Sequence, residues 1–146
     1  MYASPKILRN TISSMFAATV IALSVYSGVA AAKEVKVMLS GDQEVPPVTT
    51  TAKGSGTITI SADKSVSGSV TTTGMPGTMA HIHEGAAGKN GPVVIPLSKS
   101  GDGVWSVPAG AKLTDEQYKS FEAGDLYVNV HSAAHQGGEI RAQLKP

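Results

Sequence analysis

The chain has 146 residues, with 12 Lys and Arg against 11 Asp and Glu, and it contains no cysteine. Near-balanced charge without a basic run is a poor match to nucleic acid or anionic lipid, so those partners are set aside. The missing cysteines exclude disulfides, thiolate nucleophiles, iron–sulfur clusters and cysteine-ligated zinc, leaving nitrogen, oxygen or thioether sulfur for any metal.

The N-terminus reads as an address. Lys6 and Arg9 form a positive region, an apolar run follows from Met15 to about Ala30, and Ala30-Ala31-Ala32 supplies small residues for cleavage before Lys33. Residues 1–32 are expected to be a secretory signal peptide, which would place the protein in the periplasm or outside the cell, without membrane attachment after cleavage. What remains, 33–146, is 146 less 32, or 114 residues, about one domain's worth.

Beyond Lys33 the hydrophobic period is mostly two. Val35, Val37 and Leu39 alternate with Lys36 and Met38 as a first strand, which Gly41 to Pro47 ends because proline cannot donate to a ladder. Gly56–Ser61 and Val66–Thr72 form a hairpin around Ala62-Asp63-Lys64. After a turn at Gly74–Gly77, Thr78–Glu84 is the next strand, and the glycine-rich stretch from Gly85 to Pro92 leads into Val93–Leu97. Val104–Val107, Leu126–His131 and Glu139–Leu144 complete the strands. One segment differs: Thr114 with Gln117 fits a capping box, Leu113 and Tyr118 fit a hydrophobic staple, and Gly124 sits where a C-terminal glycine belongs. Thr114–Ala123 is therefore a short helix. About eight strands and one helix imply an all-β fold, an antiparallel Greek-key sandwich or barrel.

All four histidines fall in two clusters, His81 with His83 and His131 with His135. Residues i and i+2 of a strand share a face, so His81 and His83 point the same way, with Met79 beside them and Ala80 and Ile82 opposite. In Leu126–His131 the apolar Leu126, Val128 and Val130 oppose Tyr127, Asn129 and His131. If both strands lie in one sheet, the histidines gather away from the core, and His135 can fold back on its loop as a further ligand. These four residues are the candidate metal ligands, with Met79 a candidate soft ligand for Cu(I). Glu84 and Glu139 are candidate acceptors for the imidazole N–H groups. All-nitrogen ligation outside the cytoplasm suits Cu(II) or Zn(II), and copper stands ahead for a given site.

At these residues the chain resembles the CHRD domain, named after chordin and found in many exported bacterial proteins. The resemblance is carried by Leu39–Val48, by Ala80–Gly85 with Gly88–Val94, by Leu113-Thr114, by Ala123–His131 and by Gly137–Arg141. It implies a β-sandwich of the immunoglobulin or copper–zinc superoxide dismutase type, and a copper site at His81, His83 and His131. His135 stands where the family pattern commonly has another residue, and Arg141-Ala142-Gln143 where Arg-Gly-Gln is usual.

The leading expectation is an exported copper-binding protein for storage, delivery or detoxification, with no catalytic residues assigned. One alternative is a metal-free module whose histidines serve folding or contacts with a protein partner. Another is a copper redox enzyme, such as one dismuting superoxide, which needs an open coordination position and a positive funnel; Lys89 and Arg141 are the nearby cations. A triad from Ser132, His131 and Asp125 lacks a nucleophile elbow, the Gly85–Gly91 loop lacks a phosphate-loop ending, and Asp42, Glu44 and Asp63 lack calcium-loop spacing.

Overall fold

The structure is a computed structural model describing residues 1–2 and 31–146. The body of the expected signal peptide lies outside the described residues. Nine strands and one helix follow: β1 (Ala32–Ser40), β2 (Lys53–Ser61), β3 (Val66–Thr73), β4 (Gly77–Glu84), β5 (Val93–Pro96), β6 (Ser98–Gly101), β7 (Val104–Ser106), α1 (Asp115–Glu122), β8 (Leu126–Ser132) and β9 (Ile140–Leu144). All strand pairings are antiparallel, in the order β5-β4-β8-β9-β1-β2-β3-β7-β6. The expected all-β class with one short helix holds.

The two sheet edges, β5 and β6, are separated in sequence by Leu97 alone. Leu97 N–H donates to the Ala80 carbonyl at 2.9 Å. The chain thus passes directly from one edge to the other and rolls the sheet into a nearly closed barrel, which leaves little unpaired edge. β6 is the strand that periodicity misses: all four of its residues are exposed, so no apolar alternation marks it.

Alternation fills the barrel. Val35, Val37 and Leu39 of β1, Ile58 and Ile60 of β2, Ala80 and Ile82 of β4, and Leu126, Val128 and Val130 of β8 are each at most 5% exposed. At about 25 cal/mol per Å² of apolar area, this shared core is the main force holding the halves together. The helix forms as its caps require. Thr114 accepts from Gln117 N–H while the Gln117 side chain accepts from Thr114 N–H, and Gly124, at φ +80°, ends it. Phe121, fully buried, pins α1 against the barrel. No described helix is long and apolar enough to cross a membrane.

Candidate metal centre

Register places the histidines side by side. β4 and β8 pair with Met79 opposite His131, His81 opposite Asn129 and His83 opposite Tyr127. Because Ala80, Ile82, Val128 and Val130 take the core side, His81, His83 and His131 project from the outer face of the same two strands. That outer face is covered: all seven residues of β8 are buried, and His83 and His131 are only 9% and 7% exposed.

The three rings converge. Each offers a ring nitrogen, and these atoms lie within 4.8 Å of one another. His81 Nδ1 is 3.0 Å from His131 Nε2. Two nitrogens bound at right angles to one ion at about 2.0 Å sit about 2.8 Å apart, so this pair already has the spacing of adjacent ligands. Backbone carbonyls set the tautomers. His83 Nδ1 lies 3.0 Å from Gly91 O, and His131 Nδ1 lies 2.8 Å from Gln136 O. A carbonyl only accepts, so both Nδ1 atoms carry the proton and both Nε2 atoms carry a lone pair. His131 Nε2 therefore accepts from His81 Nδ1–H, whereas His83 Nε2 is buried with no hydrogen-bond partner.

Electrostatics favour the uncharged, ligand-ready rings. Burial lowers the pKa of His81, and the neighbouring His131 and His83 lower it further. Burial also lowers that of His83, although the Gly91 carbonyl acts in the opposite direction. A metal competes with protons for these nitrogens, so a base that stays neutral near pH 7 is suited to ligation.

The support comes from residues that histidine spacing alone does not reveal. Tyr127 stacks on His83 with centroids 4.8 Å apart and planes 3° from parallel, and its hydroxyl accepts from Gly91 N–H at 3.1 Å. The Arg141 guanidinium carbon sits 3.4 Å from the Tyr127 ring centroid. Arg141, 1% exposed, donates to the carbonyls of Lys89 (2.8 Å) and Ala86 (3.2 Å) and to Asn90 Oδ1 (3.3 Å). One buried guanidinium thus holds the 85–92 loop over the sheet, and that loop presents Gly91 to His83. Gly91 is needed for the approach, since a Cβ there would lie 1.6 Å from Glu84 O. The available signal was the Gly-Pro pair before β5, with an arginine on β9, three strands along the sheet.

The other expected site residues fall elsewhere. His135 does not join the three. Its backbone closes the 132–135 turn, accepting from Ser132 N–H at 3.3 Å and from Gly138 N–H at 3.1 Å. Met79 shares the outer face but is 49% exposed at the rim. Glu84 and Glu139 do not serve the imidazoles: Glu84 accepts from Ser120 Oγ at 2.5 Å and Glu139 from Thr50 Oγ1 at 2.7 Å. Backbone carbonyls took those roles because the loops bring them closer than either carboxylate. A cavity of about 600 Å³, lined by Glu44, Val45, Pro47, Arg141 and Gln143 among others, includes none of the histidines. Gln143 there is engaged with the carbonyls of Gly85 and Gly124, as Arg141 is with its loop, so neither is free to converge on a ligand.

No curated protein matches the chain, and no solved structure does. The family model of the CHRD domain matches residues 35–144, which run from the first core valine of β1 to the last residue of β9 and take in all three imidazoles. The chain belongs to the CHRD-domain family.

Proposed function

We propose that this is an exported copper-binding protein in which His81, His83 and His131 hold one ion for storage, delivery or detoxification, with zinc the second choice of metal. The observation that carries the reading is the convergence of three ring nitrogens within 4.8 Å, two of the rings being locked by backbone carbonyls with Nε2 unprotonated. Three imidazoles form a donor set for Cu(II) or Zn(II), and the Irving–Williams order puts copper ahead. An ion at the His81–His131 pair would replace the shared proton, which moves to His81 Nε2 by tautomerisation, so the ring need not ionise. The basic and apolar pattern of the first 32 residues supports export.

A redox enzyme fits less well. Guiding an anion to the metal needs accessible positive charge, and of the two expected cations Arg141 is buried with its N–H groups turned to loop carbonyls, which leaves the exposed Lys89 alone.

The test is equilibrium titration of the purified protein with Cu(II), and separately with Zn(II), beside the His81→Ala/His83→Ala variant. One equivalent should bind the wild type and none the variant, whose β-sheet circular dichroism should be unchanged. Undiminished binding by a folded variant removes the site. No saturable binding of Cu(II), Zn(II) or Cu(I) by the wild type leaves a metal-free module serving folding or a protein partner.

A further inference from the structure

Asn129 occupies the centre of the outer face, between Tyr127 and His131 on β8 and directly across from His81. It is 2% exposed, a rare environment for an amide unless all its polar atoms are matched. One end is matched: Nδ2 donates to Glu44 Oε1 at 2.7 Å. Since a carboxylate accepts and an amide oxygen cannot donate, this contact fixes which way the amide points. Gly138 lets the clamp close, for a Cβ there would lie 2.0 Å from Asn129 Nδ2 and 2.6 Å from Glu44 Oε1.

The other end is unmatched. Asn129 Oδ1 is buried without a hydrogen-bond partner, and so is His83 Nε2. The amide lies close enough to His83 to influence its proton affinity, although no hydrogen bond joins the two side chains. Two lone-pair atoms on one covered face, neither with a donor, are what a cation between them would satisfy. Asn90, the other asparagine of the domain, has both ends engaged, with Arg141 and with the Val45 carbonyl.

We infer that Asn129 Oδ1 is a fourth, oxygen ligand of the ion held by His81, His83 and His131, with Glu44 as the residue that orients it. The inference rests on the copper reading above and deepens it. Three nitrogens and a hard amide oxygen suit a divalent ion, Cu(II) or Zn(II), better than Cu(I), which prefers thiolate and thioether sulfur.

The test uses Cu(II) alone as probe on the full chain carrying ¹³C-asparagine, read by pulsed electron paramagnetic resonance. A strong ¹³C coupling in the wild type, lost in Asn129→Leu/Glu44→Leu together with about tenfold or greater weakening of affinity, is the expected result. The paired substitution removes the carboxylate along with its amide donor, so no unpaired carboxylate is left buried, and Arg141 keeps its loop carbonyls as partners. Should it not fold, the labelled wild type decides alone. A wild type that binds Cu(II) through histidine nitrogen yet shows no ¹³C coupling overturns the oxygen ligand and leaves the histidine site standing. Absence of any bound Cu(II) overturns both.

Discussion

The two halves of the barrel follow the same alternation and differ on their outer faces. In β1 and β3 outward residues stand in solvent, and those of β2 are half-buried at most: Lys36 and Met38 of β1 and Thr71 and Thr73 of β3 are exposed, Met38 to 73%. In β8 the outward residues are Tyr127, Asn129 and His131, and each is at least nine-tenths buried. The first half is an ordinary one-sided sheet. On the second, loops reaching Gly91 and Gln136, and the turn carrying Glu44, lie over the strands and bury a second, polar layer. Burying polar groups is unfavourable unless they are hydrogen-bonded, and here nearly all are. Strands align the imidazoles, and loops turn the aligned row into a covered cluster.

The largest effect in breaking this contrast should come from glycine. Gly91→Ala forces a Cβ against Glu84 O, so the loop must lift and His83 loses its acceptor. We expect a loss of about 3 kcal/mol or more in urea unfolding, with metal affinity falling too. Gly101→Ala in β6 meets only Val104 at 3.4 Å and should change stability by no more than about 0.5 kcal/mol. Equal effects would mean the two halves are not built differently.

Arg141→Met comes next. It keeps the bulk over Tyr127 but leaves the Ala86 and Lys89 carbonyls without their donor. A loss of about 2–4 kcal/mol is expected, together with faster amide exchange in residues 85–92. If only stability fell and exchange in the loop were unchanged, the guanidinium would not be what holds it.

A third effect is pH-dependent. Burial depresses the folded pKa of His81 and of His83 below the unfolded value of about 6.5. The neutral rings therefore give full stability above pH 6.5, and it is lost as pH falls from there through the folded pKa values. Metal-free thermal unfolding should show that decline in the wild type and a shallower one in His81→Ala/His83→Ala. A decline of equal steepness in both would remove these rings as its source.

The smallest effect belongs to His135→Ala. His135 lies outside the convergent set, so copper affinity should match the wild type, where His131→Ala should remove it. Calorimetric titration separates the two, and an equal loss in both would bring His135 into the site.

These contrasts also mark what was legible in the chain. Alternation in β1, β4 and β8, and the capping box at Thr114, are local patterns, and the strands and helix they imply are present. His-x-His likewise declares a shared face, and the register of β4 with β8 brings His131 to it. β6 was not legible because it has no apolar face and is held by pairing with β7 alone. Nor were the imidazole partners, since a backbone carbonyl has no residue signature; the carboxylates expected in that role are engaged by Ser120 and Thr50. Asn129 read as one more polar residue of an outward face. Its burial depends on Glu44, which is 85 positions away in sequence.

X-ray absorption at the copper edge of the protein with one equivalent of Cu(II) tests the central claim most directly. About three imidazole nitrogens near 2.0 Å are expected, with the multiple scattering typical of histidine rings. A spectrum with one imidazole or none around bound copper would contradict it.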